Sequence, residues 1–287
     1  MANYARIHRL FAADGRCLNV ALDHGIFHEA AFLAGIEDIA KAIGMVVKAQ
    51  PDAVQLSLGP ARILQSIPGP LKPALVLRID TTNLYANSVQ KSLYTVLLER
   101  AVEQAVILDA AAVVVNLFFI PGETELHAEC IRNIGRVRAE CEKVAMPLMV
   151  EPLVLEPSIE GAGYRSSGYS RTITVLVRQA VELGADILKT DACDPAKEFG
   201  RIVEASAGKP LLVRGGTRKA LPELLRQTEE LLRLGARGLV FGRNIVQQKD
   251  PERVTAALMA MVHDGAPADD AADRCGAPAF EWFDSTK

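Results

Sequence analysis

Eight short apolar runs punctuate the chain: CLNVAL (17–22), AVQLSL (53–58), ALVLRI (74–79), AAVVVNLFF (111–119), PLMVEPL (147–153), ADILKT (185–190), PLLVRG (210–215) and GLVFG (238–242). Between most of them lie longer segments whose apolar positions recur every three to four residues, as in 92–109, 124–144, 174–184 and 220–235. Brief apolar runs read as buried strands and the 3.6-residue period as amphipathic helices, so their alternation predicts parallel βαβ units. The joints resemble one another as well. VELGADILK, LRLGARGLVFG and VILDAAAVVV each pass from a leucine-bearing last helical turn through Gly or Asp into the next strand, a weak internal repeat of unit length. Eight units in about 250 residues predict a single (β/α)8 TIM barrel over residues 1–263. The competing doubly wound sheet would carry a G-x-G-x-x-G turn after an early strand, and the sequence has none there.

Composition narrows the function without choosing it. With 49% apolar and 23% charged residues, the chain has ample material for a core. A net charge of -3 and a pI near 6.0 lack the polybasic footprint of a protein that binds nucleic acid or an anionic membrane. The start MANYARIHRL has no apolar core of signal-peptide length. No stretch reaches the roughly 18 uninterrupted apolar residues of a membrane span, so a cytoplasmic location is expected. Five scattered cysteines without a CxxC argue against both a disulfide framework and a cysteine-rich zinc site.

The apolar runs close on polar side chains or glycines: Asp23, Ser57, Arg78 with Asp80, Asn116, Glu151, Lys189, Arg214 with Gly215, and Gly242 with Arg243. In a barrel those ends converge on one face, where barrel active sites lie. Lys189 ends the run that follows Gly184. An amine on a rigid strand amid apolar neighbours loses hydration and its pKa falls toward neutrality, which makes Lys189 a candidate covalent catalyst; a surface lysine at a strand edge is the plain alternative. Asp23, followed by His24-Gly25, is either turn chemistry or a carboxylate that bonds the amine and shuttles protons. Glu151, inside so apolar a run, must be paired, protonated or functional: an ion pair with Lys189 or Arg78, or a general acid–base. VRGGTRK (213–219) and FGRN (241–244) put backbone N–H groups and cations after the last two strands, where barrels commonly bind phosphate. Arg214, Gly215, Gly216, Gly242 and Arg243 therefore form a candidate phosphate site, with His24, Asn116 and Arg78 as candidate substrate contacts. His24 and His28, four apart, could join Asp23 around a metal, but the glycine between them weakens a helical ligand face, and no metal is assigned.

Asp23-His24-Gly25, Ile187-Leu188-Lys189-Thr190, Val213-Arg214-Gly215-Gly216 and Gly242-Arg243-Asn244-Ile245, in order and at sensible spacing over roughly residues 5–263, resemble the class I aldolases of the DeoC/LacD type. That group includes archaeal-type fructose-bisphosphate, tagatose-bisphosphate and sulfofructosephosphate aldolases. The resemblance implies a (β/α)8 barrel, Lys189 as a Schiff-base lysine with no cofactor or metal, Asp23 as its acidic helper, and the two glycine loops with Arg243 as the phosphate site. It departs where archaeal-type enzymes carry a tyrosine and Pro-Arg after strand five, since this chain reads Leu153-Val154-Leu155. Glu151 resembles the strand-five glutamate of the tagatose-bisphosphate branch and takes the proton-transfer role, while Asn116 stands where that branch has a lysine. The expected reaction cleaves or forms a phosphorylated ketose, with dihydroxyacetone phosphate as the ketone product and Glu151 taking the hydroxyl proton as the carbon–carbon bond breaks.

Other readings remain at this level. The same barrel and lysine could run a transaldol or acyl transfer, as heptulosonate-forming and autoinducer-processing relatives do. A metal-dependent aldolase and a catalytically dead sugar-phosphate-binding protein are further alternatives. The Gly- and Ser-rich stretch 160–171 is expected to be a lid or substrate-reading loop, with Tyr164, Arg165 and Arg171 as its contacts. Residues 264–287 turn acidic and aperiodic, as a partly ordered tail does, with Trp282 available to dock on a neighbour in a homo-oligomer.

Overall fold

The structure, a computed structural model, describes residues 4–276 apart from 70, 87–89, 91 and 159–162. Eight parallel strands form its centre: β1 (Cys17–Ala21), β2 (Ala53–Leu56), β3 (Ala74–Arg78), β4 (Ala112–Phe119), β5 (Leu148–Pro157), β6 (Ile187–Thr190), β7 (Leu211–Arg214) and β8 (Gly238–Phe241). They pair in chain order. β8 then returns to β1 in the register Cys17↔Gly238 to Val20↔Phe241, closing the (β/α)8 barrel. Closure brings two backbones together at Gly238, where φ is 143° and an added Cβ would lie 1.9 Å from the Cys17 carbonyl oxygen. No side chain fits there.

Strand side chains alternate between two faces, and the two faces belong to different cores. Leu18, Val54, Leu75, Val113, Leu188 and Leu239 join the large cluster under the helices. Ala21, Ala53, Val76, Val114, Met149, Ile187, Leu212 and Val240 form a smaller cluster inside the barrel. Two residues beyond each of these eight, on the same face, stand Asp23, Gln55, Arg78, Asn116, Glu151, Lys189, Arg214 and Gly242. The barrel interior is thus a floor that is apolar except for buried Asn19, capped by one ring of chemistry at its C-terminal mouth. This placement follows from the period of two alone.

The helical period over 92–109 does not survive folding. Thr95–Leu97 is a strand paired antiparallel with Asp80–Thr82, and the helix is confined to Ala101–Ile107 after Arg100 in the left-handed region. β-branched Thr95 and Val96 alternate buried and exposed, as a strand requires. Asn83 staples the hairpin, accepting the Tyr94 N–H at 2.9 Å and donating to the Ser92 carbonyl at 2.9 Å. The other three long helices fall at Thr124–Lys143, Ser170–Glu182 and Leu221–Arg233, close to the periodic segments.

In the expected lid, 159–162 lie outside the described residues. Tyr164–Ser166 pairs antiparallel with the end of β5, Arg165 meets Glu156 at 2.8 Å, and Arg171 already belongs to the next helix. Order continues past residue 263: Ala268–Arg274 is a helix packed on Leu221–Arg233, with Ala268 and Ala271 buried. Trp282 lies outside the described residues. Among those described, no helix is long and apolar enough to cross a membrane.

The N-terminal end of the barrel is pinned by His263, whose Nδ1 and Nε2 lie 2.8 Å from Asp14 Oδ2 and 2.9 Å from Asp52 Oδ2. Burial opposes a charged ring, but the hydrogen bonds to Asp14 and Asp52 outweigh it and raise the His263 pKa. A folded pKa above the unfolded value of about 6.5 gives stabilisation that is complete below that pH and lost as pH rises through the folded value. His263→Ala should cost about 1 kcal/mol, the scale of a solvent-touched pair, in melting experiments below pH 6. The deficit should fade by pH 9; a deficit independent of pH would contradict the pairing.

Candidate active site

The ring at the barrel mouth is organised by Arg78 on β3, which is 1% exposed. Its Nε donates to Asp23 Oδ2 at 2.9 Å, its Nη1 to Asp80 Oδ1 at 3.0 Å, and its Nη2 to Glu151 Oε2. Lys189 Nζ donates to the same Glu151 oxygen at 2.9 Å. Gln55 bridges the lysine and Asp23: its Oε1 lies 3.5 Å from Nζ, and its Nε2 donates to Asp23 Oδ2 at 2.7 Å. Asp80 is completed by the backbone N–H and side-chain amide of Asn116, at 2.8 and 2.9 Å. Farther round, Arg214 Nε donates to Asp191 Oδ1 at 2.7 Å, and Ser166 Oγ to Asp191 Oδ2 at 2.7 Å.

These contacts set the charges. Burial pushes Asp23 up, but Arg78 and then Lys189 outweigh it and hold the carboxyl down at about 2. Burial likewise opposes the Glu151 carboxylate, and Lys189 with Arg78 more than compensates, so its pKa is lowered. For Lys189 burial dominates and lowers the pKa; Glu151 resists, and Arg78 adds to the fall. One guanidinium therefore favours the glutamate anion and the neutral amine together. Asp80 stays above its ordinary value because burial exceeds the help from Arg78 and Asn116. His24 is brought down to about 4 by burial against the pull of Asp23, so its ring is neutral at pH 7.

Asp23, His24, Arg78, Asn116, Glu151, Lys189, Arg214, Gly215, Gly216, Gly242 and Arg243 all line one open pocket of about 550 Å³. The candidate catalytic, phosphate and strand-end contact residues read from the sequence are brought together, while His28 is exposed and, like Tyr164, Arg165 and Arg171 of the expected lid, does not line the pocket. Some roles differ in detail. Asp23 meets the lysine through Gln55 rather than directly. Gly215 N–H is already spent on the Val240 carbonyl at 3.2 Å, and Arg214 is committed to Asp191. Arg243 stands over the Phe32 ring at 4.4 Å, and its Nη2 donates to the Gly216 carbonyl at 2.8 Å. No carboxylate is bonded to it among the described residues. Asn244 holds the glycine loop, donating to the Gly215 carbonyl at 2.7 Å and accepting from Lys219 N–H at 2.8 Å. Gly242 leaves room for His24, because a Cβ there would fall 2.2 Å from the ring. Phe27, Phe32 and Tyr85 also line the pocket, and Gln55 stands behind Lys189 and Asp23. Of these only Gln55 carries a sequence signal, two residues beyond inward-facing Ala53.

Comparison with known proteins gives a consistent family. The DeoC/LacD family aldolase model matches residues 17–248. An uncharacterised aldolase of Saccharolobus solfataricus is 29% identical over 270 residues, 91% of this chain and 94% of that protein. A 2-amino-3,7-dideoxy-D-threo-hept-6-ulosonate synthase of Halobacterium salinarum is 29% identical over 272 residues, 95% and 96% of the two chains. A solved Schiff base forming fructose-1,6-bisphosphate aldolase superposes with a TM-score of 0.75 at 27% identity, over 90% of this chain and 99% of that one.

Removing Arg78 would take the shared cation from three buried carboxylates, and breaking a buried pair costs about 3–5 kcal/mol. Arg78→Met should lower stability by that order in urea unfolding. The folded pKa of Asp23 is depressed, so its stabilisation, about 2 kcal/mol, is present above pH 4 and lost as pH falls through about 2. In Arg78→Met the acid limb of stability should begin at higher pH than in the parent protein; an unchanged limb would refute the assignment.

Proposed function

The chain belongs to the DeoC/LacD family of aldolases, and on that premise we propose that it cleaves and forms a phosphorylated ketose through a Schiff base on Lys189. The observation that carries this reading is the lysine itself: 4% exposed, 2.9 Å from Glu151, its pKa lowered by burial and by Arg78. Glu151 takes the ammonium proton and so frees the amine to attack the substrate ketone. Asp23, held by Arg78 and Gln55, keeps the Gln55 carbonyl aimed at Nζ as the nitrogen changes geometry. Loss of water from the carbinolamine gives an iminium that draws electrons from the adjacent carbon–carbon bond. One acid–base group of the pocket protonates the departing hydroxide and then takes the substrate hydroxyl's proton as the aldehyde departs; Glu151 returns its proton to the enamine carbon, and hydrolysis releases the ketone, assigned as dihydroxyacetone phosphate. Arg243, Gly216 and Gly242 are assigned to the phosphate, with Arg214 behind them. Fixing one end of the substrate turns a bimolecular addition into an effectively intramolecular one.

A second reading is a transaldol-type condensation, favoured by the Halobacterium salinarum relative, whose name is that of a synthase. Both readings need the same imine. Lys189→Met should abolish borohydride trapping of a ketose phosphate on the protein, and mass mapping of the parent adduct should find it on residue 189. Trapping that persists in the variant would refute the proposal. Simple cleavage yields free dihydroxyacetone phosphate from a ketose phosphate with no second acceptor present; release that appears only when an acceptor is added would establish the transaldol reading instead.

A further inference from the structure

Tyr85 comes to the pocket from the hairpin that follows β3, a part of the molecule that no strand-end pattern points to. Its ring packs edge-on against Phe27, with centroids 5.3 Å apart, and tilted against Phe32 at 5.5 Å. The phenol oxygen lies 3.3 Å from Arg214 Nη1, and the same nitrogen is 3.9 Å from Glu151 Oε1. A guanidinium can only donate. In that contact Tyr85 therefore accepts, and its own hydrogen has no acceptor among the described residues. It is an O–H group in the pocket lining, next to a cation, with a proton still to place.

The neighbouring carboxylates are otherwise engaged. Asp23 is held by Arg78 and Gln55, Asp80 by Arg78 and Asn116, and Asp191 by Arg214 and Ser166. Glu151 carries the lysine's proton once the amine has been freed, so it is not also an empty base at the far oxygen. Burial raises the Tyr85 pKa against the pull of Arg214, which keeps the phenol protonated at neutral pH.

Resting on the Schiff-base reading above, we propose that Tyr85 is the catalytic acid–base at the aldehyde oxygen. In bond formation the enamine pair attacks the aldehyde carbon, and the C=O π pair takes the Tyr85 proton, giving a hydroxyl, an iminium and a tyrosinate beside Arg214. Water then adds to the iminium carbon and gives a proton to the tyrosinate, which restores the phenol before the C–N bond breaks. Cleavage runs the same steps backward. Arg214 is the positioning residue, since it faces the phenolate oxygen in the state that needs a counter-charge. Its commitment to Asp191 rather than to a substrate phosphate fits this role.

The test is Tyr85→Phe, which keeps the ring and its contacts with Phe27 and Phe32. Condensation of dihydroxyacetone phosphate with aldehydes of graded electrophilicity is measured, beginning with glyceraldehyde 3-phosphate. General acid–base catalysis contributes about 10²- to 10⁴-fold, so kcat should fall by that factor with KM changed only a few-fold. The deficit should shrink for aldehydes bearing electron-withdrawing groups, which need less protonation. Borohydride trapping of dihydroxyacetone phosphate on Lys189, taken after equilibration, should reach the parental extent. A kcat within about five-fold of the parent, or an equal deficit across the aldehyde series, would overturn the proposal. A parent protein that gives no Lys189 adduct would instead overturn the Schiff-base reading beneath it. Should Tyr85→Phe melt early, 3,5-difluorotyrosine at position 85 preserves shape and strengthens the acid. The alkaline loss of activity should then move to lower pH, and an unmoved limb would count against Tyr85.

Discussion

A single guanidinium shared by three buried carboxylates holds the mouth of this barrel together. Arg78 meets Asp23, Asp80 and Glu151 at once, and each of those residues comes from a different place in the chain. Desolvating so many charges is expensive, and a buried ion cluster by itself is weak evidence of stability. Its value here is directional. The positive charge of Arg78 makes the Glu151 anion cheap and the Lys189 cation costly, so the same residue prepares a base and unloads an amine. Asp23 and Gln55 fix the lysine from the other side, which leaves the nitrogen few conformations to lose on reaction.

The apolar floor beneath this cluster matters as much as the charges. Ala21, Ala53, Val76, Val114, Met149, Ile187, Leu212 and Val240 fill the barrel interior and exclude water from below. Low polarity on that side is what gives burial its leading place in the Lys189, Glu151 and Asp23 titrations. Above the floor the pocket is lined by Arg243, which stands over Phe32, and by the rings of Phe27, Phe32 and Tyr85, which pack on one another.

Much of this was legible in the residue pattern. The eight runs became eight strands within a few residues of their expected bounds, because a barrel strand buried on both sides leaves an unbroken apolar signature. Lys189, Glu151 and Asp23 were legible because a charged residue closing such a run has few reasons to be there. What sequence could not show was pairing. Arg78 serves three partners 55, 2 and 73 residues away, and only closure of the barrel brings them together. Gln55 was available to a period-two reading from Ala53, whereas Tyr85 sits on an irregular turn with no periodic neighbour. The helical pattern across 92–109 misled because Leu93, Leu97 and Leu98 pack on the core from a hairpin. The spacing of four between Leu93 and Leu97 falls on one face of either a helix or a strand. The chain after residue 263 reads as a tail because alanine-rich, acidic helices carry little apolar contrast, although Ala268 and Ala271 are buried.

The central claim is electrostatic: Lys189 is an amine whose charged form the fold disfavours, despite a carboxylate at 2.9 Å. Its ionisation can be followed directly by heteronuclear NMR on lysine-labelled protein, with Lys189→Met supplying the assignment. The account predicts a Lys189 pKa below the ordinary lysine value of about 10.4. A value at or above it would mean that the ion pair with Glu151 prevails over burial and Arg78, and the account would fail.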